Sequence, residues 1–222
     1  MLAVVARGLR DLKDQVVFVG GATVDLYLAD AGGEPARVTD DVDCVISIAT
    51  QGDYRALEEK LRSLDFRHPI EESQPPICRW KFMGITVDVM PTDEAVLGFS
   101  SRWYAEGIAN AQTRLLPDGQ TIRLFTPPYF LASKIEAFLG RGQGDFYGSA
   151  DIEDIITVLD RSEEVLAAIS SAPATVRSYL ADRFRDLLKD DIFVQSISGH
   201  LGSGAGPGRA QRVTDMLKAL TA

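Results

Sequence analysis

Three aspartates occupy positions where acids are unusual, and their spacing suits metal-assisted chemistry. Asp41 and Asp43 lie in the alternating run Asp41-Val42-Asp43-Cys44-Val45-Ile46-Ser47-Ile48. Val42, Cys44, Ile46 and Ile48 form one face of this run, and Asp41, Asp43, Val45 and Ser47 form the other. Side chains alternate along a strand, so the two carboxylates project from the same side. Asp88 sits between Val87 and Val89 in a second strand-like run, although aspartate is depleted in strand interiors. If the two strands are neighbours, three carboxylates converge and repel one another unless cations neutralise them. Hard oxygen ligands of this kind favour magnesium, and two such ions would activate an attacking hydroxyl and stabilise departing pyrophosphate. An Asp pair taken alone equally suits a solvated strand face.

Upstream, Val16–Val19 is a short apolar run closed by Gly20-Gly21, with the helix-like Val24, Leu26, Tyr27 and Leu28 beyond. Backbone amides at such a turn, with the following helix N-terminus, could hold a triphosphate; an ordinary turn is the plain alternative. Lys134 and Asp154 each read equally well as helix-surface charges, and Asp151 as a first-turn acid. Arg141 flanks a loop. His68 and His200 have no metal-ligand spacing, Cys44 falls on the apolar face of its strand, and Cys78 is isolated. The glycines of 199–208 are followed by no Lys-Ser or Lys-Thr, so they form a linker rather than a P-loop.

The elements that must position these residues are legible in outline. Strands are expected over Val16–Val19, Asp41–Ile48, Ile77–Phe82 and Ile85–Met90, the last two joined at Gly84. A hairpin is expected around Pro117-Asp118-Gly119, and a helix over residues 53–64 through Tyr54, Leu57, Leu61 and Leu64. Residues 30–36 read as loop. After Pro127-Pro128 the pattern turns helical: 129–139, 151–159, 163–197 and a last amphipathic helix through Val213, Met216, Leu217 and Leu220. Residues 140–148 read as a glycine-rich loop. The chain is therefore α/β or α+β, a mixed β-sheet with flanking helices over residues 1–125 and a helical C-terminal part over 126–222.

The bulk composition narrows the partners. A net charge of −9 on 222 residues argues against duplex DNA as a ligand and favours a metal-loaded acidic cleft or a cationic small substrate. No apolar run is long enough to span a membrane, the first residues lack a secretory signal, and two cysteines build no disulfide framework. The expected setting is cytoplasmic, with no membrane partner.

Val19-Gly20-Gly21, Asp41-Val42-Asp43-Cys44 and Val87-Asp88-Val89 together resemble the signature of the DNA polymerase β-like nucleotidyltransferase superfamily. More narrowly, Arg37-Val38-Thr39-Asp40-Asp41-Val42-Asp43 resembles the Arg-x-Thr-x-Asp-x-Asp motif of AbiEii-like (AbiEii/AbiGii) toxin nucleotidyltransferases. Leu131–Ala137 with Lys134, Arg141, and Asp151–Ile155 with Asp154 resemble that group's helical Lys and Asp motifs. The likeness runs from about residue 16 to residue 160. It implies magnesium-dependent transfer of a nucleotidyl group from an NTP co-substrate to a hydroxyl, with two ions. By that resemblance Gly20, Gly21 and Thr23 contact nucleotide, and Asp41, Asp43 and Asp88 bind metal. Lys134 reaches the phosphates, Asp154 is a further active-site acid, and Arg37 and Thr39 brace the loop before the Asp pair. The acceptor it suggests is RNA such as a tRNA end, with an antitoxin protein as partner. A small molecule of aminoglycoside type is the alternative acceptor. A catalytically silent nucleotide- or partner-binding module ranks behind both, and phosphoester hydrolysis last. Nineteen residues separate Gly21 from Asp41, longer than is usual in the superfamily.

Overall fold

The computed structural model describes residues 1–29, 36–69, 75–98, 100–202 and 207–221. The chain divides into two compact units. The first comprises Met1–Thr23 and Val38–Thr126, the second Val24–Arg37 and Pro127–Ala222.

The first unit opens with helix α1 (Leu2–Leu9) and a 3-10 turn, then strand β1 (Val16–Val19). All four residues of β1 are buried, as a run of β-branched and aromatic side chains requires in the middle of a sheet covered on both faces. A seven-residue 3-10 helix (Gly21–Tyr27) follows where a short helix is expected, and strand β2 (Asp41–Ile46) comes next. Helix α2 (Gln51–Ser63) buries Tyr54, Leu57 and Leu61, one apolar stripe at helical spacing. Its N-terminus is capped by Thr50, whose hydroxyl accepts from Asp53 N at 3.1 Å.

Strands β3 (Arg79–Phe82) and β4 (Ile85–Pro91) form a hairpin closed by two residues, Met83 and Gly84, with φ of 49° and 82°. Positive φ at both central positions is the type I′ geometry that matches the twist of adjacent strands. β3 begins later than the expected Ile77, because the Arg79 amide donates to Pro76 O in a turn. Short helices α3 (Glu94–Leu97) and α4 (Tyr104–Ala109) lead to the hairpin of β5 (Gln112–Leu115) and β6 (Thr121–Leu124), turned at Gly119.

The six strands make one mixed sheet in the order β3-β4-β2-β1-β6-β5. β2 runs parallel to β4 and antiparallel to β1, while β1 and β6 are parallel. Val17, Phe18, Cys44, Val45, Trp80 and Val87 are wholly buried in this unit.

The second unit is helical: α5 (Pro127–Arg141), α6 (Ala150–Arg161), α7 (Val165–Ser171), α8 (Ala174–Leu187), α9 (Asp191–His200) and α10 (Pro207–Leu220). Two prolines open α5, where a missing amide costs nothing. The helix runs to Arg141, two residues into the expected glycine-rich loop. Ser149 caps α6 and Asp190 caps α9 through side-chain oxygens. Phe130, Ile155, Leu159, Leu180, Phe184 and Phe193 are fully buried in this unit. Residues 30–35 of the expected early loop and 203–206 of the expected linker lie outside the described residues.

Candidate active site

The pairing of β2 with β4 decides where the acids meet. Asp43 lies directly opposite Asp88, and Asp41 opposite Thr86. Paired residues on adjacent strands share a face, so Asp41, Asp43 and Asp88 all project from one side of the sheet. The row extends in both directions: Val19 of β1 pairs with Asp43, and Arg79 of β3 pairs with Asp88.

Each carboxylate has a distinct environment. Asp41 is half-buried and accepts a 2.6 Å hydrogen bond from the Thr39 hydroxyl. Asp43 is half-buried beside Gly20. A Cβ added at Gly20 would stand 2.0 Å from Asp43 Oδ2, and Gly20 also has a φ of 74°. Glycine at this position therefore serves two needs, a left-handed turn and room for the Asp43 carboxylate. Asp88 is buried, and Arg79 grips it with a side-on fork, Nε to Oδ1 at 3.0 Å and NH2 to Oδ2 at 2.9 Å. Among the described residues no three acid, His or Cys side chains are drawn together into a metal cage. At this face Asp88 gives both its oxygens to Arg79.

The turn after β1 is built by its own residues. Thr23 is fully buried, and its hydroxyl donates to Gly20 O at 2.8 Å. This bond shapes the turn. The donor set of Asp41, Asp43 and Asp88 suits a hard cation such as magnesium, since it offers carboxylate oxygens and no sulfur or imidazole. The space that a Cβ at Gly20 would fill is where Asp43 Oδ2 lies.

The thiols nearby are not nucleophiles. Burial, then the charges of Asp43 and Asp88, push the Cys44 thiol well above its ordinary range. Burial, with Asp88 adding, raises Cys78 to about 12. Both therefore stay protonated and inert near neutrality.

In the second unit the expected residues Arg37, Lys134 and Asp154 belong to a buried charge network. Lys134 on α5 and Asp151 and Asp154 on α6 are all buried. Lys134 Nζ lies 3.0 Å from Asp151 Oδ1 and 2.6 Å from Asp154 Oδ2. Arg37 forks onto Asp154 at 3.0 and 3.2 Å, and Arg141 onto Asp151 at 3.1 Å twice. Burial works against the Arg37 charge, but the hydrogen bond to Asp154 and the charges of Asp154, Glu153 and Asp151 together outweigh it, and its pKa stands above the ordinary value. The reading of Lys134 and Asp154 as solvated helix-surface charges is thus corrected. Lys134 Nζ is held between two carboxylates, Arg37 is tied to Asp154, and in the first unit Thr39 bonds to Asp41. Two participants were not singled out from sequence as site residues, Arg79 and Asp151. Arg79 had a usable signal: a two-residue turn at Met83-Gly84 pairs Phe82 with Ile85, and counting outward pairs Arg79 with Asp88.

No family model matches the chain, and no curated protein matches it in sequence. Among solved structures it is similar to the solution structure of the antibiotic-resistance factor ANT(2'')-Ia, with a TM-score of 0.50 and 15% identity over 84% of this chain and 92% of that one. It is also similar to the crystal structure of ANT(2'')-Ia in complex with adenylyl-2''-tobramycin, with a TM-score of 0.49 and 15% identity over 83% of this chain and 95% of that one. The first likeness shows the fold, a mixed α/β architecture around a six-stranded sheet of nucleotidyltransferase type.

Proposed function

We propose that this chain is a nucleotidyltransferase that moves a nucleoside monophosphate from an NTP to a hydroxyl of a small, cationic acceptor. The observation that carries the reading is the register of β2 with β4, which sets Asp43 beside Asp88 and Asp41 on the same face, next to the Gly20 turn. Asp41 and Asp43 would hold magnesium, joined by Asp88; bound there, the metal neutralises phosphate charge and activates the attacking hydroxyl. Thr39 orients the Asp41 carboxylate through its hydrogen bond. Gly20 leaves the space in which the Asp43 carboxylate sits. In the transfer itself the acceptor oxygen bonds to the α-phosphorus and the bond to pyrophosphate breaks. Pyrophosphate leaves with the electron pair, and Asp88 takes the hydroxyl proton.

Two facts favour a small acceptor over a long nucleic acid. The fold is similar to that of an antibiotic-resistance factor, and antibiotics are small molecules. The net charge of −9 repels a polyphosphate backbone and attracts amines. Transfer to RNA, with an antitoxin protein as partner, is the second reading, and the resemblance of Arg37–Asp43 to the AbiEii-like motif favours it. No described helix is long and apolar enough to cross a membrane.

The test is incubation with magnesium, each α-labelled NTP, and either a panel of aminoglycosides or total RNA, beside Asp43→Asn. Label is expected on a small amine-bearing compound with the wild type, and at least 100-fold less with Asp43→Asn, which keeps the shape and removes the charge. Label on RNA would move the conclusion to the second reading. Undiminished transfer by Asp43→Asn would sink the site assignment.

A further inference from the structure

Arg79 is not one of the acids that the chemistry requires, yet it occupies the acid that matters most. The Asp43–Asp88–Arg79 row crosses three adjacent strands in register, so its order of charge is negative, negative, positive. Like charges directly opposite each other on neighbouring strands are unfavourable, and a cation on the far side of Asp88 offsets that repulsion. The guanidinium does so in its most directional form, two parallel N–H to oxygen contacts of 3.0 and 2.9 Å on a carboxylate that is 8% exposed. Asp41, by contrast, is held by one hydroxyl on one oxygen.

A divalent cation recruited to Asp88 must take oxygens that Arg79 holds, so two cations contend for one carboxylate. Arg79 stands at the first position of β3, an edge strand of the sheet, and its side chain is 29% exposed. We propose that Arg79 is a positioning residue that competes with the divalent cation for Asp88 and thereby weakens metal binding at this face. It holds Asp88 in place and makes the engagement of that acid the last step in assembling the site. This inference rests on the reading of the face as a metal site.

The experiment is a titration of the purified full chain with Mn2+ alone, without nucleotide, following free Mn2+ by electron paramagnetic resonance. Arg79→Gln is expected to bind Mn2+ about tenfold more tightly than the wild type, the order of the charged hydrogen bonds that the metal would no longer have to displace. The gain should vanish in Arg79→Gln/Asp88→Asn. Arg79→Lys, which keeps the charge but cannot fork, should fall between the wild type and Arg79→Gln, and it carries the test if Arg79→Gln loses the wild-type circular dichroism spectrum. Equal or weaker binding by folded Arg79→Gln, with wild-type binding still abolished by Asp43→Asn, overturns this inference and leaves the metal site standing. Absence of Mn2+ binding in every variant overturns both.

Discussion

At Gly20 one missing atom makes room for the Asp43 carboxylate of the proposed site. Its φ of 74° and the 2.0 Å approach of an added Cβ to Asp43 Oδ2 impose separate penalties, and a control distinguishes them. Gly84 has a similar φ of 82° with nothing within 4 Å of an added Cβ. Alanine at either position brings a backbone strain of roughly 1–2 kcal/mol, since L-residues resist the left-handed region. Gly20→Ala should in addition displace the Asp43 carboxylate and lower nucleotidyl transfer by about 100-fold, the order of loss that a misplaced catalytic group produces. Gly84→Ala should melt earlier but transfer normally. Equal activity in the two variants would show that the Gly20 turn has no part in positioning Asp43.

Elements carry charge as well as shape, and the pairing of α5 with α6 is the main instance. Lys134, Asp151 and Asp154 are withdrawn from water between these helices, so their mutual contacts must compensate for the loss of hydration. Removing a buried ion's partner typically costs 3–5 kcal/mol, and Lys134→Met is expected to destabilise the second unit by about that much in urea unfolding. Arg141 contacts the same Asp151, but its side chain is 73% exposed, and Arg141→Ala should cost about 1 kcal/mol or less. Comparable losses in both would mean that the network is held by its rim rather than by Lys134. Lys134 was legible as a helical residue, but its burial was not. A helix pattern read locally shows periodicity and cannot show which neighbour covers a given face.

For the molecule as a whole, division into two units means that unfolding need not be a single transition. Cys44 and Cys78 both belong to the first unit and report on it selectively. Because burial raises Cys78 to about 12, the unfolded chain, with an ordinary thiol near 9.0, loses its proton first as pH rises. The first unit should therefore lose stability as pH climbs from about 9 toward 12, and the contribution is fully present below that window. At pH 8 neither thiol should react with a disulfide reagent until denaturant unfolds that unit. Rapid labelling of the native protein would contradict the buried placement.

Much of the first unit follows from local rules. Alternation with period two puts Asp41 and Asp43 on one face whatever surrounds them, and the turns at Gly84 and Gly119 are written in positive-φ positions that glycine fills. The four expected strand regions and the late hairpin are therefore readable from pattern alone. Only the tertiary structure set Asp88 beside Asp43 and Arg79 beside Asp88, joined Arg37 to Asp154 across 117 positions, and closed Lys134 between two acids. The division has one physical cause. Side-chain direction and turn geometry depend on neighbours in the chain, whereas strand register, burial and the partner of each charge depend on segments far apart in sequence.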